Sequence, residues 1–282
     1  MTMASNALPH LSQASAPLTQ DVSVLDEFGL RRQIQIPAER ALTVFVDKRE
    51  LVTLMTLGAS PELLVLGYLR NQRLVDAVAD VQSVTVDWDV SAAAVKTRSG
   101  IEAFDAKTAK RVVTTGCGQG TVFGDLMSDL DRLQLPPTSE PGARLSQATL
   151  YGLLNAMRLQ ESTYKSAGSV HGCALFKQDE LLTFVEDVGR HNAVDTIAGW
   201  MWMNGVSGGD KIFYTTGRLT SEMVIKAAQM GVPVIVSRSG ITQMGLQLAQ
   251  QLGLCLFGRA TNRHFICYSG LERFDSQPEP ER

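Results

Sequence analysis

Cysteine is scarce in this sequence, and the few cysteines lie far apart. Only four of the 282 residues are Cys, and no CxxC or CxxCH spacing occurs. These absences exclude a disulfide scaffold and argue against a zinc site or a covalently attached haem, so no metal site is predicted. Three of the cysteines, Cys173, Cys255 and Cys267, lie in apolar, strand-like runs, where buried and inert thiols are usual.

An excess of charge of one sign is also missing, and so are long apolar runs. The formal net charge is −3 and the sequence pI is about 5.8, so no overall field attracts the chain to nucleic acid or to an anionic membrane. No apolar run approaches the ~20 residues that a membrane helix needs. Residues 1–25 lack a basic start and a continuous apolar stretch, which predicts a disordered tail rather than a secretory signal. We expect a cytoplasmic protein without nucleic-acid or membrane partners.

Several catalytic motifs are absent as well. The chain contains neither GxGxxG nor GxxxxGK[ST], which excludes a standard dinucleotide or P-loop site. Without HxE or PCxxC it does not match a zinc deaminase.

The composition that remains is that of an ordinary globular protein, with 44% apolar and 20% charged residues. Residues 40–57 predict a β-hairpin, Ser60-Pro61 predicts the start of a helix, and residues 83–115 have the alternation of a small sheet. The Pro- and Gly-rich residues 134–145 indicate a subdomain boundary. We therefore predict a disordered tail over 1–25, a β-rich region with a cysteine loop over 26–140, an α/β region over 141–272 and a disordered tail over 273–282.

The second half alternates helices with short apolar runs. Residues 146–159 are helical in character, and residues 173–185 predict two strands around a polar turn. The order strand, helix, strand, helix, strand follows, and its short connections predict a parallel sheet. Its expected parts are a strand at 212–216, a helix from Ser221, a strand at 232–237, a helix ending at Gly253 and a strand at 254–258.

Each of these three strands is followed by a loop of the same composition. The loops at 216–221, 237–242 and 258–264 each combine arginine with Gly and hydroxyl residues. Loops at the carboxyl ends of parallel strands line the ligand crevice, and arginine forks match phosphate oxygens. Three such loops at one edge indicate a phosphorylated ligand, and the missing nucleotide motifs favour a large anionic cofactor.

A cysteine between glycines is the second candidate feature. In TTGCGQGT, residues 114–121, Cys117 follows a β-rich run, which favours an exposed thiol that another protein can reach. From these residues alone, a free cysteine without a role is an equally good interpretation, because no His or Lys is adjacent.

The third candidate feature is EDVGRHNA at residues 186–193, with His171 upstream. A histidine beside Asp and Arg can act as a proton relay. The interpretation that we prefer is structural: Asp187 and Asn192 start a helix, while Arg190 and His191 orient loops.

These segments together resemble one family. EDVGRHNAVD at 186–195 matches the signature of the FdhD family of formate dehydrogenase accessory proteins, and TTGCGQG resembles the family's cysteine loop. Residues 39–69 are similar to its N-terminal region, and residues 217–240 and 254–270 resemble its nucleotide-proximal segments. The resemblance covers roughly residues 37–272.

The resemblance implies a cytidine-deaminase-like, three-layer α/β domain with parallel strands and without catalytic zinc, plus a smaller, partly β subdomain. It implies a sulfur carrier that accepts persulfide sulfur from a cysteine desulfurase and passes it to the bis(molybdopterin guanine dinucleotide) molybdenum cofactor of formate dehydrogenase. By position, Cys117 carries the sulfur, with Arg218 and Arg238 as further candidates for the phosphates. The implied cofactor-binding stretch is Arg259, Ala260, Thr261, Asn262, Arg263 and His264.

The cysteine loop departs from the family's pattern at one position. The best-known members carry CxxC, whereas here Gly120 stands in the place of the second cysteine. A persulfide needs only one sulfur, so transfer from Cys117 is the leading hypothesis. The alternative is a chaperone that binds the cofactor without moving sulfur, which leaves open whether the protein is an enzyme. Apolar helix faces and an exposed N-terminal region are compatible with a homodimer.

Overall fold

The computed structural model describes residues 8–101, 112–113, 120–121, 133–140 and 142–277. The chain divides into two compact units, each assembled from separate stretches of sequence. Unit one comprises the described residues within 1–123, 162–170 and 186–205, and unit two those within 124–161, 171–185 and 206–282. The division predicted from sequence used continuous regions, whereas both units are discontinuous.

Strands and short helices alternate along the chain. The helices are α1 (Pro61–Asn71), α2 (Gln147–Leu159), α3 (Thr163–Ala167), α4 (Arg190–Met203), α5 (Ser221–Gln229) and α6 (Gln243–Leu252), with 3₁₀ turns at Val78–Asp80 and Leu271–Arg273. The strands are β1 (His10–Leu11), β2 (Thr19–Leu25), β3 (Arg31–Pro37), β4 (Arg40–Val46), β5 (Arg49–Thr56), β6 (Val81–Asp87), β7 (Ala92–Thr97), β8 (Val112–Val113), β9 (Gly120–Thr121), β10 (Leu145–Ser146), β11 (His171–Lys177), β12 (Glu180–Asp187), β13 (Ile212–Thr215), β14 (Val234–Ser237), β15 (Cys255–Thr261), β16 (His264–Ser269) and β17 (Phe274–Asp275).

Unit one is built on a five-stranded sheet in the order β1-β6-β7-β4-β5. The predicted hairpin is confirmed: β4 and β5 pair antiparallel around Asp47 and Lys48, which both have positive φ as in a type I′ turn. Alternate residues of β4, including Leu42 and Val44, are fully buried and pack with residues of α1 in one apolar core. The alternation that predicted the strands therefore also determines which face of the sheet is buried.

Residues 8–25 are ordered, although the sequence predicted a disordered tail over 1–25. Within residues 8–25, β1 pairs parallel with β6, and β2 pairs antiparallel with β3. The buried carboxylate of Glu62 accepts hydrogen bonds from the Ser12 hydroxyl (2.6 Å) and the Ala14 amide (2.7 Å). The expectation of a disordered tail is therefore wrong for these residues, because a distant carboxylate and a sheet edge bind backbone groups that composition does not reveal.

Helices α1 and α4 cross in close contact through two glycines. A Cβ atom on Gly67 would lie 1.6 Å from the carbonyl oxygen of Asp195, and one on Gly199 would lie 2.0 Å from the carbonyl oxygen of Leu63. Beside this contact, the Asn71 side-chain amide donates to the carboxylate of Asp195 (2.7 Å). The crossing therefore depends on glycine at both positions, since neither leaves room for a methyl group.

Unit two is built on a six-stranded sheet in the order β12-β11-β13-β14-β15-β16. The strands β13, β14 and β15 are parallel, as predicted, while β11 and β16 are antiparallel to β13 and β15. Helix α6 ends at Gly253, whose φ of 68° is the left-handed conformation expected of a C-terminal glycine. The α/β class with parallel strands is confirmed, while the closer likeness to cytidine deaminases stays a prediction.

Two segments of unit two differ from the sequence prediction. Strand β15 continues to Thr261 and turns back directly into β16, so residues 258–264 form a hairpin rather than a loop. Near the C-terminus, Phe274–Asp275 pairs with β10 although a disordered tail was expected from residue 273. The buried Arg273 guanidinium donates to the carbonyls of Pro136 (2.8 Å) and Gly253 (2.9 Å). These long-range hydrogen bonds hold in place a segment whose polar composition is typical of a tail.

Candidate functional site

The carboxyl ends of β13, β14 and β15 bring three arginines to one edge of the unit-two sheet. The side chains of Arg218, Arg238 and Arg259 are all exposed there. Their backbones are joined across the strands, because the Arg238 amide donates to Thr215 (3.0 Å) and the Arg259 amide donates to the carbonyl of Ser239 (2.8 Å). We call these three residues and their loops the arginine edge.

Buried hydroxyls fix the backbone beneath the arginine edge. The Ser237 hydroxyl donates to the Gly217 carbonyl (2.7 Å) and accepts from the Ser239 amide (2.9 Å). The Thr215 hydroxyl accepts from the Gly217 amide (3.0 Å). Thr215 and Ser237 are fully buried, so they hold the loops in place rather than contact a ligand. Loops whose shape is set before binding lose less entropy when an anion arrives.

Gly258 lets the third arginine join the other two. A Cβ atom at this position would lie 2.6 Å from the Tyr268 ring and 3.0 Å from the Ser239 carbonyl oxygen. The next residue, Arg259, has a φ of 52°, which turns its side chain away from the regular strand direction at an irregularity in the β15–β16 pairing. Glycine at 258 is therefore required for this close passage of β15 beside the β14 loop.

The residues of the predicted cofactor-binding stretch, 259–264, have different surroundings in the structure. Arg259 belongs to the arginine edge, whereas the side chain of Ala260 is buried in the core of unit two. The guanidinium of Arg263 lies over the ring of Tyr151 on α2, 5.7 Å from its centroid. This cation–π contact directs the Arg263 side chain toward α2, on one face of the sheet.

The remaining members of that stretch lie at the hairpin end. Thr261 pairs with His264 across the turn, and Asn262 has a φ of 52°. All three side chains are exposed. The structure therefore leaves Thr261, Asn262 and His264 accessible, but it places them beyond the point where Arg259 meets the other loops.

One part of the arginine edge was not found from the sequence. Strand β11 runs antiparallel to β13 with Cys173 opposite Thr215, so β11 begins where β13 ends. The Gly172 amide donates to the Thr216 hydroxyl (3.0 Å), and the Thr216 amide donates to the Gly172 carbonyl (2.9 Å). His171 is thus placed in unit two beside the first arginine loop. The position of His171 follows only from the non-local pairing of β11 with β13, and no sequence motif indicates it.

The EDVGRHN segment has a structural role in unit one. The buried carboxylate of Asp187 accepts four hydrogen bonds: from the Thr56 hydroxyl, the Leu57 amide (3.1 Å), the Gly189 amide (2.9 Å) and the Asn192 side-chain amide (2.9 Å). Burial raises the pKa of Asp187 above its ordinary value, and the donated hydrogen bonds oppose that rise. Asp187 therefore fastens the end of β5 to the start of α4, in line with the structural interpretation.

The neighbours of Asp187 extend this fastening. The Asn192 side-chain amide also donates to the Met55 carbonyl (2.7 Å), and the Glu186 carboxylate accepts from the Thr163 and Tyr164 amides at the start of α3. His191 is buried within the first turn of α4. Such burial is unfavourable for a group that must exchange protons with a substrate, and it weakens the proton-relay interpretation.

The structure shows the surroundings of three cysteines, while Cys117 lies outside the described residues. Cys173 is buried, and its thiol donates to the Thr215 hydroxyl (3.4 Å). Cys255 and Cys267 form a pair on neighbouring strands. A hydrogen bond from Cys255 lowers the pKa of the half-buried Cys267, and the same hydrogen bond together with burial raises the pKa of Cys255. The buried thiols of Cys173 and Cys255 are therefore poorly placed to meet another protein, and the half-buried thiol of Cys267 is hydrogen-bonded to Cys255.

The described part of the chain holds neither a candidate metal cluster nor a candidate membrane-spanning helix. Over residues 8–101, 133–140, 142–277 and the two short described strands, no group of three or more His, Cys, Asp or Glu side chains is arranged to hold a metal ion. Over the same residues, no helix is both long and apolar enough to cross a membrane.

Comparison with known proteins identifies the family. The model of the FdhD/NarQ family matches residues 37–275. A Bacillus licheniformis protein named sulfur carrier protein FdhD is 30% identical over 244 residues, covering 86% of this chain and 91% of its own. The Bacillus subtilis protein of the same name is 31% identical over 236 residues, covering 83% and 88%.

The fold also matches a solved structure. A crystal structure from Desulfotalea psychrophila, described as that of a formate dehydrogenase accessory protein, superposes with a TM-score of 0.72 at 24% identity. The match covers 92% of this chain and 100% of the other. Because a family match spans most of the sequence and relatives of nearly full length agree with it, this chain belongs to the FdhD/NarQ family.

Proposed function

We propose that this protein is a sulfur carrier that supports formate dehydrogenase by delivering sulfur to its molybdenum cofactor. In this proposal Cys117 accepts sulfur from a cysteine desulfurase, and the arginine edge holds the bis(molybdopterin guanine dinucleotide) cofactor as substrate. The names of the relatives support the carrier role. Transfer between free thiols needs a reducing compartment, so we place the reaction in the cytoplasm. We also keep the likeness to the cytidine deaminase fold as part of the proposal.

The observation that carries the cofactor assignment is the convergence of Arg218, Arg238 and Arg259 on one sheet edge. The protein as a whole is acidic, with a formal net charge of −3, so this concentration of positive charge is local. Guanidinium groups donate paired hydrogen bonds to phosphate oxygens. The dinucleotide parts of the cofactor carry such phosphates, and the three exposed guanidinium groups fit them.

The proposed sulfur transfer needs a single thiol. The Cys117 thiolate attacks the terminal sulfur of the desulfurase persulfide, a new S–S bond forms, and the desulfurase cysteine leaves as a thiolate. In delivery that S–S bond breaks and Cys117 leaves as a thiolate again. The sulfur is then at oxidation level zero, and its reduction to sulfide takes two electrons from the metal centre that receives it. Gly120, in place of a second cysteine, removes only an internal disulfide.

Intact-protein mass spectrometry tests the carrier role. The protein is incubated with a cysteine desulfurase and cysteine, and the wild type is compared with Cys117→Ala and with the matched control Cys267→Ala. We expect an added sulfur mass in the wild type and in the control, and none in Cys117→Ala. A wild type that never gains sulfur would refute the transfer.

A cofactor chaperone is the second candidate, favoured by the glycine at position 120. The two functions differ in what they require of Cys117. In cells that depend on this protein, Cys117→Ala should abolish formate dehydrogenase activity if sulfur is transferred. If the protein only holds the cofactor, the variant should support full activity.

A further inference from the structure

We infer that His171 is a ligand-contacting residue of the arginine edge, where its imidazole binds a phosphate group of the guanine nucleotide moiety beside Arg218. This inference rests on the proposed function and adds to it a residue from a different strand. It starts from the pairing of β11 with β13, which places the beginning of one strand at the carboxyl end of the other.

The position of His171 follows from that pairing. Cys173 lies opposite Thr215, and Gly172 exchanges two hydrogen bonds with Thr216. Continuing the antiparallel register by two residues from Cys173 places His171 beside Gly217, the residue before Arg218. The beginning of β11 thus adds a fourth chain segment to the edge that carries the three arginine loops.

The direction of the His171 side chain follows from the strand alternation. Residues 171 and 173 lie on the same face of β11, and the Cys173 thiol contacts the Thr215 hydroxyl (3.4 Å). Ala174 belongs to the core on the opposite face. The His171 side chain is therefore on the same face of the sheet as the Thr215 side chain. After Thr215 the chain continues through Arg218 into α5.

Arg263 shows the contrast. Its guanidinium stacks on Tyr151 of α2, and α2 packs on the same core as Ala174. His171 and Arg263 therefore lie on opposite faces of the sheet, and His171 shares its face with Thr215, three residues before Arg218. The family resemblance had implied a cofactor-binding role for Arg263 and none for His171.

The burial of His171 suits a binding role. Its side chain is half-buried, so its rotation is restricted while part of the ring reaches solvent. Gly172, the next residue, has no room for a side chain, because a Cβ atom there would lie 2.9 Å from the Phe184 ring. The backbone that carries His171 is therefore closely packed, which fixes the position of its Cα atom beside the first arginine loop.

The chemistry of the imidazole complements the guanidinium groups. Arginine supplies permanent charge and a planar fork of donors. An imidazole supplies one directed N–H donor toward an anionic oxygen, a charge-assisted hydrogen bond of the stronger kind. Together they favour the terminal phosphate of a nucleoside diphosphate over an uncharged nucleoside.

Calorimetric titration of the full-length protein with GDP tests this assignment. We expect His171→Ala to weaken GDP binding roughly tenfold, comparable with Arg218→Ala, since one charge-assisted hydrogen bond is lost. His171→Gln, which keeps a donor of similar reach, should recover part of the affinity. The matched control His10→Ala, at an exposed histidine in β1 of unit one, should bind like the wild type.

Two comparisons separate binding from folding. Guanosine titrated in place of GDP should show little difference between His171→Ala and the wild type, because only the phosphate contact is lost. A structural role for His171 would instead lower the melting temperature and weaken both ligands equally, in the Gln variant as well. That result would overturn the inference.

The outcomes also distinguish this inference from the proposed function. If Arg218→Ala weakens GDP binding while His171→Ala binds like the wild type, the assignment of His171 is wrong and the arginine site stands. If the wild type itself does not bind GDP, the nucleotide site at the arginine edge is refuted, and the role of His171 with it.

Discussion

Replacing Gly67 with alanine should break the contact between α1 and α4. The added Cβ would lie 1.6 Å from the Asp195 carbonyl oxygen, whereas real Cβ contacts are essentially never below 3.0 Å. The helices must therefore separate by at least 1.4 Å, the difference between these two distances. Such a displacement opens the crossing along its length, because Gly199 occupies the facing position on α4.

The expected loss of stability follows from the packing and the hydrogen bonds that this displacement disturbs. Overpacking a core costs about 1–3 kcal/mol. The same movement would stretch the hydrogen bonds from Asn71 to Asp195 (2.7 Å) and from Arg70 to the Ala198 carbonyl (2.9 Å) beyond the usual limit of about 3.5 Å, at about 1–3 kcal/mol each. Alanine returns about 1 kcal/mol through its helix propensity. We expect a net loss of about 2–8 kcal/mol in the free energy of unfolding, the sum of these contributions.

Tryptophan fluorescence during urea denaturation measures this loss in the relevant unit. All three tryptophans, Trp88, Trp200 and Trp202, belong to unit one, so the signal reports on that unit. Gly209→Ala adds only an ordinary 3.6 Å contact to Pro136 and lies in unit two, so it should leave this signal unchanged. An unfolding midpoint for Gly67→Ala equal to that of the wild type would refute the geometry of the crossing.

Three further outcomes follow from the same structure. Asp187→Asn should cost about 2–4 kcal/mol in urea denaturation, because an amide cannot accept all four donated hydrogen bonds; an unchanged midpoint would contradict it. Glu62→Ala should free the segment around Ser12 and Ala14, seen as faster amide hydrogen exchange there and not in β7. Arg238→Ala should weaken GDP binding and reduce its salt dependence; an unaltered salt dependence would argue against a phosphate contact.

The local parts of the fold were predictable because their signals lie within a few residues. The turn at Asp47-Lys48 joins two alternating runs, and Gly253 follows a helical apolar face, so both features were expected and found. The three arginine loops could be placed at one edge since parallel strands end on the same side of a sheet. Each of these predictions used only the spacing of the apolar residues and the residue types at the ends of each helix or strand.

The other parts depend on partners far away in the sequence. Nothing near Ser12 indicates that Glu62 binds it, and nothing near His171 shows that β11 pairs with β13. Residues 258–264 were predicted as a loop because they are polar and rich in arginine. In the structure they form the end of a hairpin, and β16 supplies the hydrogen-bonding partners that the local sequence does not reveal. Pairing across the chain, rather than local preference, decided these cases.

The separation of α1 from α4 along the chain has a consequence for biosynthesis. Arg70 and Ala198, which are bonded across the crossing, are 128 positions apart, and a ribosome adding about 5–20 residues per second needs roughly 6–26 s to cover that distance. During this interval the side of α1 that meets α4 in the finished protein, around Leu63 and Gly67, has no helix against it. The nascent chain is therefore a natural client for chaperones, and slowing translation before residue 190 should increase its aggregation.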